Sequence, residues 1–207
     1  MSKPPNIQWA LNSDAHAVAR HIASALKGPG PFTLAVPGGR TPLPIFAALS
    51  ELPLPWEKIT VMLGDDRIVP IDHPASNQAK LQAAFGATNA QILSLEEGMT
   101  LPKFDMVWLG MGGDGHIASL FPNMDPDVSG APAVLHTVPD PLPPEAPFER
   151  LTFNMAALIN TKQIILTISG ADKKHVLDAA IAGENDLPIA RLMAAAQCPV
   201  TIFWSSQ

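Results

Sequence analysis

Apolar residues in this chain gather into short unbroken runs, separated by longer stretches in which they recur every three or four positions. The runs FTLAV (32–36), ITVML (59–63), FDMVWL (104–109), IILTI (164–168) and VTIFW (200–204) have strand length. Most are rich in β-branched and aromatic residues and show no polar alternation, so they predict strands buried on both faces. Between them, residues 14–27 place Val18, Ile22 and Leu26 four apart, with Ser13 as a candidate N-cap and Gly28 just past the end. Further helices are predicted over 42–50, 76–85, 172–182 and 187–196. This alternation predicts an α/β fold: a mostly parallel sheet flanked by helices, Rossmann-like and doubly wound, in one domain spanning 1–207. The stretch 122–147 carries eight prolines and predicts an irregular excursion, because proline blocks both helix interiors and central strands.

The composition agrees with a compact core, at 47% hydrophobic and 15% charged residues. A formal net charge of −6 with no Lys/Arg-rich run argues against nucleic acid or an anionic membrane surface as a partner. It leaves room for an anionic small molecule, since a few arginines concentrated in one cleft outweigh a mildly acidic exterior. No apolar run approaches the roughly 18–20 residues of a membrane span, and the N-terminal stretch has no continuous apolar segment, so the chain is expected to be cytoplasmic. The single cysteine, Cys198, rules out an internal disulfide and a Cys-based zinc site, and reads as a buried structural thiol.

In parallel α/β folds, ligands bind beyond the carboxyl ends of the strands. The first predicted exit, VPGGRTPLPIF (36–46), combines Gly38 and Gly39 with Arg40 and with Thr41 before Pro42, a helix-start signal. Free amides at a helix N-terminus make an anion site, although a plain glycine-rich turn fits the same residues. The second exit brings Asp65, Asp66 and Arg67 together. An internal ion pair explains them as well, but the planar fork of Arg67 suits phosphate.

The third exit, LGMGGDGHIASLFP (109–122), contains Gly110, Gly112 and Gly115 in the spacing G-x-G-x-x-G. A dinucleotide site requires a long following helix and a second strand ending in an acid about 20 residues on. Pro122 cuts the helix short, and the later segment APAVLHTVPDP supplies no such acid, so that reading fails. What remains is His116 with Asp114 two residues before it, a candidate general base with an orienting carboxylate. The fourth exit leads through Gly170 to Asp172, a candidate helix cap, and to Lys173 and Lys174. Lysines at a helix N-terminus oppose the dipole, which points to a bound anion or to simple solvation. The other histidines show no metal-ligand spacing, so no metal is implied.

Taken together, PGGRTP (37–42), GDDRIVP (64–70), SN (76–77), LGMGGDGHIASLFP (109–122), RLTFNMAAL (150–158), SGADKK (169–174) and CPVTIFW (198–204) make the chain resemble the 6-phosphogluconolactonases, within the wider glucosamine-6-phosphate isomerase group. It departs from the usual pattern at Pro37 and Arg40, where hydroxyl residues are common. Asp66 stands in place of the usual Glu and Ile117 in place of the usual Thr. The resemblance implies hydrolysis of a phosphorylated sugar lactone, 6-phospho-D-glucono-1,5-lactone, without metal or organic cofactor, by a monomer or small homo-oligomer. It implies His116 as base oriented by Asp114, and substrate or phosphate contacts from Gly38, Gly39, Arg40, Thr41, Asp65, Arg67, Arg150 and Lys173. Two alternatives stand beside it. An amino-sugar-phosphate isomerase shares GDGHIA but normally continues with an acid where Ser119–Pro122 stand here. A non-catalytic sugar-phosphate sensor has no need of His116.

Overall fold

The computed structural model describes residues 6–124, 129–144 and 146–206. Seven strands form one wholly parallel sheet: β1 (Ile7–Trp9), β2 (Phe32–Val36), β3 (Ile59–Leu63), β5 (Gln91–Leu93), β6 (Met106–Gly110), β9 (Ile164–Ser169) and β10 (Val200–Ser205). Their order is β1-β10-β9-β6-β2-β3-β5. From β2 the chain moves outward through β3 to β5, returns to place β6 on the other side of β2, and then moves outward again through β9 and β10. The strand order therefore reverses between β2 and β6, and at such a switch point the loops leaving adjacent strands part to open a crevice.

The unbroken apolar runs are explained by helices on both faces. Along β6, Met106 and Trp108 belong to one core cluster, with α1 (Ala15–Ala25), α2 (Leu43–Ser50) and α3 (Asn77–Phe85), while Val107 and Leu109 belong to the other, with α4 (Met155–Ile159), α5 (Ala171–Ala182) and α6 (Pro188–Ala195). Trp108, Phe46 and Phe85 interlock on the first face with ring centroids 5.3 Å apart in each pair involving Phe46. Buried Trp108 keeps its indole N–H satisfied by donating to Thr167 Oγ1 at 2.9 Å. No helix of the described residues is long and apolar enough to cross a membrane.

A second, three-stranded antiparallel sheet, in the order β4 (Asp65–Arg67), β8 (Arg150–Phe153), β7 (Val134–Thr137), stands beyond the strand exits. It modifies the expectation for 122–147. Residues 125–128 and 145 lie outside the described residues, but Val134–Thr137, the window between Pro132 and Pro139, forms a strand. Proline is tolerated beside it because β7 is an edge strand with one unpaired side.

Two predicted caps are corrected, and the helix start expected at Thr41–Pro42 shifts by one residue. Asp14, not Ser13, caps α1 by accepting from Ala17 N at 2.7 Å, while Ser13 Oγ donates to Trp204 O at 2.6 Å. Thr41 makes no side-chain capping bond, and Pro42 takes the cap position of α2. Gly170 occupies the cap position of α5, leaving Asp172 inside the first turn, where its charge still favours the dipole. Cys198 is buried, and burial pushes its thiol pKa up.

Candidate active site

The loops leaving β2 and β6 wall a cleft of about 500 Å³ at the switch point. Gly38, Gly39, Arg40, Thr41, Asp65, Arg67, His116, Arg150 and Lys173 all line it. Asp114 reaches it through His116, whose Nδ1 lies 2.6 Å from Asp114 Oδ1. The fold thus brings these ten residues together, whereas Asp66 and Lys174, also at the strand exits, do not line the cleft.

The histidine is presented by a tight turn. Gly112 N donates to His116 O at 2.9 Å, Gly115 N donates to Gly112 O at 3.1 Å, and His116 N donates to Asp114 Oδ1 at 3.2 Å. One carboxylate oxygen thereby holds both the backbone and the ring of His116. The ring also lies against Phe121, with centroids 4.9 Å apart. Gly112 is required by this packing: a Cβ there would sit 2.2 Å from His116 Cε1 and Nδ1 and 2.6 Å from Asp114 Oδ1. With Nδ1–H donated to Asp114, the neutral imidazole carries its lone pair on Nε2, where it can take a proton.

The rest of the lining is cationic. Arg67 Nη1 donates to Ala75 O at 2.9 Å and to Asn77 Oδ1 at 3.2 Å. Its Nε is buried without a partner among the described residues. A buried guanidinium N–H left unpaired costs free energy. Arg150 sits directly opposite Arg67 in the β4–β8 ladder, and burial first, then Arg67, pushes its guanidinium pKa down. Arg150 Nε donates to Phe148 O at 3.1 Å and Nη2 to Ala146 O at 2.9 Å, which fastens the Pro-rich excursion to the cleft, where Pro143 and Ala146 form part of the wall. Lys173 Nζ donates to Met111 O at 2.7 Å, just past the end of β6. Lys174 turns away, to Asp178 at 2.6 Å and to the faces of Trp9 and Trp204. Against Arg40, Arg67, Arg150 and Lys173, Asp65 is the only carboxylate in the lining among the described residues.

The acids beside Arg67 divide their roles. Asp66 faces inward and accepts from the backbone N–H groups of Arg67, Asn77 and Gln78 at 2.8–3.0 Å, so it caps α3 rather than meeting a ligand. Burial raises its pKa despite those bonds. Asp65 Oδ2 accepts from the buried Ser119 Oγ at 2.6 Å, which joins β4 to the His116 loop. Sequence reasoning assigned no role to Ser119, Gly112, Asn77 or Lys80. For Asn77 the available signal was an amide placed immediately after the Ser76 N-cap, at a position the fold buries. Among the described residues, no three His, Cys, Asp or Glu side chains converge as a metal site.

Two stretches, 8–99 and 82–204, match the family described as glucosamine-6-phosphate isomerases/6-phosphogluconolactonase. The chain belongs to this family. It is 35% identical to a 6-phosphogluconolactonase of Neisseria meningitidis over 205 residues, 87% of each chain. To one from Pseudomonas aeruginosa it is 36% identical over 212 residues, 92% of this chain and 88% of that one. Among solved structures, a putative 6-phosphogluconolactonase from Neisseria gonorrhoeae superposes with a TM-score of 0.80 at 31% identity, covering 97% of this chain and 99% of that one. The α/β fold with its parallel sheet is thus the fold of these relatives.

Proposed function

We propose that the chain hydrolyses 6-phospho-D-glucono-1,5-lactone to 6-phospho-D-gluconate, a step of the oxidative pentose phosphate pathway, with His116 as general base. The observation that carries this reading is the His116–Asp114 pair, 2.6 Å apart, in the same cleft as a glycine-rich helix start and Arg67. A base alone suits many hydrolases. A base facing four cations suits a substrate with an anionic end.

In the proposed reaction, the phosphate lies against Gly38, Gly39, Arg40 and Thr41 at the start of α2, with Arg40 and Arg67 supplying formal charge. His116 Nε2 takes a proton from water as the water oxygen bonds to the lactone carbonyl carbon, giving a tetrahedral intermediate. Asp114 stabilises the imidazolium that forms. When the bond from that carbon to the ring oxygen breaks, the imidazolium returns the proton to the departing ring oxygen, leaving a carboxylic acid that ionises. Asp65, Arg150 and Lys173 complete the wall around the sugar, and the positive lining favours the negative charge that develops on the carbonyl oxygen.

The relatives named as 6-phosphogluconolactonases support this reading over an isomerase. In this chain Ser119 donates to Asp65 from the loop where ring opening would require an acid. The test follows freshly generated lactone and, in parallel, glucosamine 6-phosphate by NMR, with spontaneous lactone hydrolysis subtracted. Accelerated loss of the lactone alone is expected. Conversion of the amino sugar instead would replace the hydrolase reading with the isomerase one.

A further inference from the structure

A single amide oxygen ties the cationic wall together. Asn77 Oδ1 accepts from Gly39 N at 3.0 Å, from Arg67 Nη1 at 3.2 Å and from Lys80 Nζ at 3.2 Å. All three partners are pure donors, so the amide orientation is determined by the network: the oxygen faces them and Nδ2 faces the loop. The loop is moulded on that nitrogen, since a Cβ on Gly38 would lie 2.1 Å from Nδ2 and 2.5 Å from Cγ. Asn77 is itself buried, at 3% exposure, and its backbone N–H is held by Asp66. It cannot move without moving the glycine loop and Arg67 together.

Lys80 stands one helical turn along α3, within hydrogen-bond reach of the same oxygen as the Gly39 amide. Burial lowers its pKa, Arg67 and Arg40 lower it further, and Asp66 only partly opposes them. Both Asp66 oxygens are already occupied by backbone amides. Arg67 and Lys80 therefore share one neutral acceptor, with Arg40 near enough to act on Lys80, an arrangement that a dianion would relieve.

We propose that Asn77 is the positioning residue of the anion site and that Lys80 is a further phosphate-binding residue within it. The inference rests on the phosphate end of the reading above and does not depend on the hydrolytic step. Lys80 supplies a point charge from α3, at the Asn77 oxygen that also holds the glycine loop. Asn77 sets the distance between that charge, the Gly39 amide and the Arg67 fork.

Isothermal titration with 6-phosphogluconate, together with lactone kinetics and melting temperatures, tests it. Lys80→Met is expected to weaken 6-phosphogluconate binding about tenfold and to act on KM rather than kcat, with Lys80→Arg restoring most of the affinity. Asn77→Ala is expected to weaken binding by tenfold or more. Asn77→Asp keeps the size of the side chain but places a competing anion at the junction, and is expected to weaken binding at least as much. If Asn77→Ala does not fold, Lys80→Met and Asn77→Asp still decide the matter. Unchanged affinity in both, in a chain that hydrolyses the lactone, overturns the inference and leaves the hydrolase reading intact. A chain that binds 6-phosphogluconate through Lys80 and Asn77 without hydrolysing the lactone has the opposite meaning.

Discussion

Gly112→Ala probes the His116–Asp114 pair without altering either member. The added methyl would lie 2.2 Å from two ring atoms of His116, where ordinary contact begins near 3.4 Å, so the ring must withdraw by more than 1 Å. A displacement of that size is enough to cost about 10²-fold in rate. Complete loss of the base costs about 10²- to 10⁴-fold, equivalent to about 2.7–5.4 kcal/mol of barrier. The fold pays little for the change, because the His116 side chain is one-third exposed and can swing outward. An off-rotamer ring costs about 0.5–1.5 kcal/mol, which corresponds to about 1–6 °C in Tm for a chain of this size. The proposed phosphate contacts come from other loops, so 6-phosphogluconate affinity should change little. Stopped assays of lactone hydrolysis, titration calorimetry and thermal melts read the three quantities separately. Near-normal kcat in a folded Gly112→Ala variant would refute the proposed role of the pair as drawn.

Other consequences are simpler to state. Arg67→Ala removes a charge-assisted fork and should raise KM about 10- to 100-fold with a much smaller fall in kcat, read from initial rates against lactone concentration. Asp66→Ala strips acceptors from three backbone amides and should destabilise the protein by about 2–4 kcal/mol in urea melts, because those N–H groups cannot all reach water. His21 is half-buried, with Nε2 unpaired among the described residues, and burial lowers its pKa below the ordinary 6.5. The folded state therefore binds fewer protons than the unfolded one. This contribution to stability is complete above pH about 6.5 and is lost as pH falls from there toward the folded value. His21→Leu should flatten the fall in Tm between pH about 7.5 and 5.5, and an unchanged slope would remove His21 from the explanation.

The central strands were legible because burial on both faces leaves an unbroken apolar signature. Residues 32–36 and 59–63 form strands with the predicted limits. The six-residue run 104–109 starts too early: Phe104 makes only an isolated bridge, and Asp105 turns its carboxylate to Thr33 N and Lys162. β4 was hidden because its three residues, Asp-Asp-Arg, carry no apolar pattern and pair only through a ladder to distant β8. β1 and β5 are edge strands of three residues, too short for any periodicity to register.

At the site, residue types with obvious chemistry stood out in the sequence, as His116 and Arg67 did. Residues that work by holding others did not. Asn77 is a mid-sized amide whose importance appears only when Gly39, Arg67 and Lys80, far apart in the chain, converge on its oxygen. Asp66 and Asp65 are neighbours in sequence, yet strand pleating sends one to the α3 cap and the other to the cleft. Nothing in the local sequence distinguishes them.

The central claim is most directly tested by the rate of disappearance of fresh 6-phosphogluconolactone with the unmodified chain and with His116→Ala, each corrected for spontaneous hydrolysis. The account predicts strong acceleration by the unmodified chain, a fall of about 10²- to 10⁴-fold in the variant, and 6-phosphogluconate binding retained in both. A His116→Ala protein that hydrolyses the lactone at the unmodified rate would contradict it.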